Sequence, residues 1–99
     1  MASFVLAFRG QPDRGPGPAE LDAWAGWLSG LGDAVTDFGH QVGQVRTMRA
    51  ETPGDPATAV LSGYVVIAAD DLDASAALAH GCPGLPSGVS VEVAEAVGS

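Results

Sequence analysis

An aspartate and a histidine close together in the chain are the pair best suited to acid–base chemistry. Asp37 and His40 flank Gly39 in a segment with the character of a strand. Residues i and i+3 of a regular strand face opposite sides of a sheet, but a β-bulge at Gly39 would bring both side chains to one side. His40 could then act as a general base oriented by Asp37. The alternative is that Asp37 makes a turn or strand-end hydrogen bond while His40 faces solvent.

Three further residues are candidates for ligand binding. Arg9 ends the first predicted strand, where barrel mouths often bind ligands, and its guanidinium could hold a carboxylate. The alternative for Arg9 is an ion pair with one of the twelve acidic residues. Glu92 lies mid-strand beside valines, so it is either a pocket acid with a proton-transfer role or a solvated strand residue. Trp27 either lines a ligand pocket or is a packing residue of its helix.

Cysteine and histidine usage indicates no inorganic centre. The single cysteine, Cys82, has no partner for an internal disulfide. Cys82 is either a thiolate nucleophile or a structural residue. His80, at the end of a predicted helix, is expected to have a structural role. The set formed by Asp37, His40, His80 and Cys82 lacks recognisable metal-ligand spacing. The sequence therefore predicts neither a metal site nor a cofactor.

The first half of the chain predicts a strand, a helix and a second strand. Residues 4–9 are apolar on both faces of a strand, and the Gly- and Pro-rich residues 10–17 form a loop. Residues 18–31 begin with a proline and carry one apolar stripe, so they predict a helix that ends at Gly32. Residues 35–42 predict the second strand, which residues 45–48 could continue after a bend.

The second half repeats this pattern. Residues 60–69 are rich in strong β-formers and give the clearest strand. Asp70 or Asp71 would cap a second helix, which would turn Leu72, Ala76 and Ala79 inward. Residues 89–97 predict the last strand. The order βαββαβ is typical of the ferredoxin-like α+β sandwich, an antiparallel sheet with two helices on one face.

An exposed sheet face is the basis for predicting a homodimer. The face without helices would carry Val, Ala, Phe or Tyr on several strands, and an apolar surface of that size is rarely left in water. Two such sheets packed face to face would cover it and form a dimeric α/β barrel.

Length and charge restrict the remaining function classes. Ninety-nine residues predict one domain, 1–99. Four arginines, no lysine and a net charge of −8 argue against nucleic acids and anionic membranes as partners. No apolar run approaches the roughly 20 residues of a membrane span. The first residues lack the basic region of a signal peptide, so we expect a cytoplasmic location.

The order of short motifs resembles the YCII-related proteins, and specifically their DGPF-like members. The matching segments are Arg9-Gly10, Trp24 with Trp27, Gly32, Asp37-Phe38-Gly39, residues 63–74 (GYVVIAADDLDA), Gly81-Cys82-Pro83 and Val91-Glu92-Val93. This resemblance implies a dimeric α+β barrel. Many members carry a histidine on the first helix and an aspartate before the last strand, residues suspected of acid–base work. Here the first helix has no histidine, Cys82-Pro83 replaces the expected Asp-Pro, and residues 54–57 (GDPA) only partly match the DGPF motif.

Two functions from different classes follow. The first is an enzyme that performs acid–base chemistry on a small organic molecule in the barrel pocket, with Asp37 and His40 as its catalytic pair. The second is a non-catalytic homodimer that binds a small anionic or aromatic ligand or interacts with a protein. Whether the chain is an enzyme stays open at this stage.

Overall fold

Four antiparallel strands and two α-helices make up the described part of the chain. The computed structural model describes residues 1–10, 17–46, 48 and 60–97. The elements are β1 (Ala2–Gly10), α1 (Pro18–Leu31), β2 (Val35–Gln41), β3 (Val60–Ala69), α2 (Leu72–Ala79) and β4 (Ser90–Glu95), with short 3-10 turns at Gly32–Ala34 and Leu85–Ser87. The predicted α+β class is confirmed. None of the described helices combines the length and apolar character needed to cross a bilayer.

The strand order places β1 and β3 at the centre of the sheet. The order is β2-β3-β1-β4, and each neighbouring pair is antiparallel. The β1–β3 ladder is the longest, from Ala2 opposite Ala69 to Gly10 opposite Val60. Since both helices connect strands that are not neighbours, each crosses one central strand. This arrangement is compatible with the predicted ferredoxin-like fold.

One face of the sheet carries the hydrophobic core. Phe4, Leu6 and Phe8 of β1 lie beside Val65 and Ile67 of β3, and all five side chains are buried. Their every-second-residue spacing puts them on the same face. Residues of both helices pack against this cluster, so both helices cover the same side. Full burial of such side chains contributes about 1.5–3 kcal/mol each, which makes this face the main source of stability.

Helix α1 has the predicted bounds but covers the sheet incompletely. It begins at Pro18, and Gly32 terminates it with a positive φ of 56°. The ψ of Gly32 is −128°, so this residue lies outside the left-handed helical region and leads into the 3-10 turn. No residue of α1 is buried, and its contacts to the core run through Trp24, Trp27 and neighbouring leucines.

Helix α2 begins as predicted but turns a different face inward. The Asp71 carboxylate accepts a hydrogen bond from the Ala74 amide at 2.8 Å, which caps the helix. The inward residues are Ser75 and Ala79, whereas Leu72 is half exposed and Ala76 is exposed. The predicted inward face was therefore wrong at Leu72 and Ala76. Ser75 tolerates full burial because its hydroxyl donates to the Leu72 carbonyl oxygen at 2.8 Å.

The other face of the sheet carries no described helix. We call it the open face. It consists of alternating side chains that are half-buried or exposed. Its apolar members are Val5 and Ala7 of β1, Tyr64, Val66 and Ala68 of β3, and Ala94 of β4. Its polar members include Arg9, Glu92, Asp37 and His40.

Two register irregularities in β2, between Val35 and Asp37 and between Asp37 and His40, decide which of its side chains reach the open face. Asp37 pairs with Val66 and His40 pairs with Tyr64, so the two residues between them stand opposite Val65 alone. Gly39 takes a φ of 63° at this point. Strand β2 ends at Gln41, and residues 42–46 and 48 are not in a strand, so the predicted continuation through 45–48 is not found in the part described. Residues 11–16 of the predicted loop 10–17 and the partial DGPF match at 54–57 lie outside the described residues.

Replacing Gly39 tests whether the bulge is a required part of the fold. A Cβ at Gly39 would overlap the Tyr64 carbonyl oxygen, and the positive φ disfavours any L side chain. We expect Gly39→Ala to lower the free energy of unfolding by about 2 kcal/mol, as measured by urea denaturation. The control is Gly26→Ala on α1, where a Cβ meets nothing within 4 Å. That change should raise stability by about 0.5–1 kcal/mol, and equal effects at both sites would contradict the bulge.

Candidate functional site

The Gly39 bulge brings Asp37 and His40 to the same side of the sheet. Their partners Val66 and Tyr64 are successive open-face residues of β3. In a regular strand residues three apart would point in opposite directions, so the extra residue produces the shared side. This is the arrangement that the acid–base hypothesis requires of the pair.

The Asp37 carboxylate also has a structural use. Its Oδ1 accepts a hydrogen bond from the Gly39 amide at 2.8 Å, which closes the turn inside the bulge. His40 is exposed, and its ring centre lies 6.2 Å from that of Tyr64. Among the described residues there is no hydrogen bond between Asp37 and His40. The pair shares a face, but the carboxylate is directed to the backbone rather than to the imidazole.

Arg9 and Glu92 are neighbours on adjacent strands of the open face. The Arg9 guanidinium Nη2 lies 3.7 Å from the Glu92 carboxylate Oε1, and the two side chains are 42% and 65% exposed. A pair this exposed contributes at most about 1 kcal/mol, because water screens both charges. The guanidinium can therefore exchange Glu92 for the carboxylate of a ligand at little cost.

One row of side chains crosses all four strands of the open face. His40 of β2 stands opposite Tyr64 of β3, Tyr64 opposite Ala7 of β1, and Ala7 opposite Glu92 of β4. Neighbouring strands are about 4.8 Å apart, so the row from His40 to Glu92 spans about 14 Å. The row therefore places an imidazole, a phenol and a carboxylate on one surface, with Arg9 beside the carboxylate.

Tyr64 is the open-face residue that sequence reasoning missed as a site candidate. It reads as an ordinary β-former within the apolar run of β3, and only the pairing with His40 gives its hydroxyl a functional neighbour. Nothing local in the sequence marks it.

Trp27 lies on the other side of the sheet from these residues. Its ring makes edge-to-face contacts with Phe8 at 6.0 Å and with Trp24 at 5.7 Å, and its indole nitrogen is close to Gly81. Trp24 packs edge-to-face on Phe8 at 4.8 Å. These three rings attach α1 to the sheet, so Trp27 does not join the open-face residues.

A cavity of about 530 Å³ lies between α1 and the β2–β3 side of the sheet. Trp24 lines it, whereas Trp27 is not among its described walls. Its apolar walls also include Phe8, Leu21, Leu28 and Phe38, and its outer edge reaches His40 and Tyr64. Residues 87–89, just before β4, also line it.

The chain is not assigned to a family by similarity. No protein-family model matches it, and no curated protein matches it at a significant level. Within the residues that the structure describes, no group of three or more His, Cys, Asp or Glu side chains is placed to hold a metal ion.

Cys82 is a buried thiol beneath α1. Its side chain belongs to the core cluster and is 3% exposed. Burial raises the pKa of the Cys82 thiol, and this effect exceeds the lowering by backbone hydrogen bonds at Gly84 and Leu85; the charge of Glu20 raises it further. A raised pKa keeps the thiol neutral near pH 7, which favours a structural use over a nucleophilic one.

The Cys82 thiol should make stability depend on alkaline pH. The folded chain keeps this proton where the unfolded chain has lost it, so the free energy of unfolding should fall as pH rises from about 8.5 towards the raised pKa. Urea unfolding between about pH 7 and pH 10 measures this fall. Cys82→Ala should show a smaller fall than the parent over the same range, and parallel pH profiles would contradict the assignment.

Proposed function

We propose that this chain is a cytoplasmic, YCII-like homodimer that binds a small organic molecule between the open faces of two sheets. The observation that carries the proposal is the composition of the open face. Its centre is apolar and half-exposed, and Arg9, Glu92 and His40 stand at one end of it. A second copy would cover the apolar centre, and the polar end would line the space between the sheets.

Energetics favour such a pairing over an open face in water. Apolar area removed from water contributes about 25 cal/mol per Å², and no described part of the chain supplies that cover. A net charge of −8 opposes random association, so the contact has to be specific. An organic ligand with an anionic group would pair with Arg9, and an aromatic one would stack against the Tyr64 and His40 rings.

A charge at the centre of the open face should separate the two copies. Val5 pairs with Val66 on one side and Ala94 on the other, so Val5→Asp would place two unpaired carboxylates in the dimer contact. Burying them costs several kcal/mol, and we expect at least a 100-fold higher dimer dissociation constant by sedimentation equilibrium. The control is Leu72→Asp, at a residue of α2 that is 52% exposed and lies off the open face. Equal dissociation constants for the two variants would contradict the proposed contact.

A second candidate function is proton transfer, favoured by the bulge that puts Asp37 and His40 on one side. The His40 imidazole would remove a proton from carbon next to a carbonyl group, the bonding electrons would move to the carbonyl oxygen as an enolate, and the imidazolium would return a proton. Asp37 lies on the same side, and its carboxylate would have to leave the Gly39 amide before it could orient the imidazole.

Hydrogen–deuterium exchange tests this second function without a known substrate. A panel of small keto acids in heavy water would lose the NMR signal of the carbon-bound proton if the protein catalyses enolisation. His40→Ala should remove that catalysis and leave the dimer mass unchanged. The matched control is His80→Ala, at an exposed histidine at the end of α2. Equal exchange rates in both variants would rule out His40 as the base.

A further inference from the structure

The cavity beneath α1 has the size and walls of a ligand site. Its volume of about 530 Å³ is within the range of about 300–1,000 Å³ for pockets that hold small organic molecules. Phe8 forms its buried floor. Two of its walls are large apolar side chains that remain exposed, Phe38 at 64% and Leu21 at 50%. An apolar molecule bound in the cavity would remove part of their surface from water.

The aromatic walls favour an aromatic occupant. Trp24 and Phe38 line the cavity from α1 and β2 respectively, and the Trp24 ring packs edge-to-face on Phe8. Aromatic rings in contact prefer offset or edge-to-face geometry and contribute beyond the area that they bury. Such faces also attract cations through their negative quadrupole.

The charge at the cavity favours a cation over an anion. Glu20 is the only acidic residue among the described lining residues, and none of these residues is an arginine. The Glu20 Oε2 accepts a hydrogen bond from Trp24 Nε1 at 3.3 Å. The N-terminus of α1 also borders the cavity, and its dipole is equivalent to about half a positive charge. The full negative charge of Glu20 is larger than the half positive charge of the helix dipole. The net charge of −8 also favours a cation.

We propose that the cavity between α1 and the β2–β3 side of the sheet binds a small aromatic amine in its protonated form. The ring lies between Phe38 and Trp24, and the ammonium group faces Glu20. The contacts that this proposal assigns, Glu20, Trp24 and Phe38, are not among the open-face residues, although the edge of the cavity reaches His40 and Tyr64.

Three probes with one ring system separate the contributions of shape and charge. Naphthylmethylamine is cationic, naphthylmethanol is neutral and naphthoate is anionic at pH 7. Each is titrated into the ¹⁵N-labelled protein, and the indole N–H signals of Trp24 and Trp27 are followed by NMR. We expect the amine to shift the Trp24 signal and to bind at least about tenfold more tightly than naphthoate.

Two variants locate the contacts, and a third serves as the control. Glu20→Gln keeps an acceptor for the Trp24 N–H but removes the charge, so amine binding should weaken about fivefold while naphthylmethanol binding stays unchanged. Phe38→Ala should weaken the amine and naphthylmethanol about fivefold. Leu72→Ala, which removes a comparably exposed apolar side chain on α2, should change neither.

Several results would overturn the proposal. Naphthoate binding as tight as amine binding would refute the charge preference. Unchanged binding in Phe38→Ala would refute the location. An unshifted Trp24 signal with all three probes at millimolar concentration would mean that the cavity accepts no such ligand, and shifts confined to Val5 and Ala7 would place binding on the open face instead.

Discussion

A four-stranded sheet with all its described helices on one side is the constraint on which the rest of this structure depends. Phe4, Leu6, Phe8, Val65 and Ile67 face the helices and form the buried core. Strand geometry then sends Val5, Ala7, Val66 and Ala68 to the other side, where they stay partly exposed. Because β1 and β3 are apolar on both faces, packing of the helices on one face leaves apolar surface exposed on the other.

The bulge at Gly39 connects this constraint to the candidate site. Without the extra residue, His40 and Asp37 would project to opposite faces. With it, both reach the open face, and the pairing of His40 with Tyr64 completes a row that ends at Glu92 and Arg9. Phe38, which lies between Asp37 and His40, lines the cavity beneath α1. Strand β2 therefore supplies side chains to both proposed sites, and it does so with two register irregularities, between Val35 and Asp37 and between Asp37 and His40.

Features with a strong local pattern could be predicted from the sequence. The bounds of α1 follow from Pro18 and from the apolar stripe that Gly32 ends, and those of β3 follow from its dense run of β-formers. The Asp71 cap was also predictable, because a short acidic side chain before a helix accepts its free amides. The sequence left two geometries open at Gly39, a regular strand and a bulge, since a glycine in a strand permits a bulge without requiring it.

The inward face of α2 and the cavity were not accessible to the same reasoning. An alanine-rich helix carries little amphipathic pattern, and Ser75 is buried because its hydroxyl bonds within its own helix. The choice of Trp24 over Trp27 as a cavity wall depends on how α1 rests on Phe8 and Gly81, a contact between segments far apart in the chain.

The native mass of the unaltered protein tests the central claim most directly. Light scattering coupled to size-exclusion chromatography, repeated over a wide range of loading concentrations, gives that mass without assumptions about shape. The account predicts a constant mass of two chains, about 20 kDa, twice the 9.9 kDa of one chain. A mass of one chain at every concentration would show that the open face is not covered by a second copy, and the proposed site between two sheets would not exist.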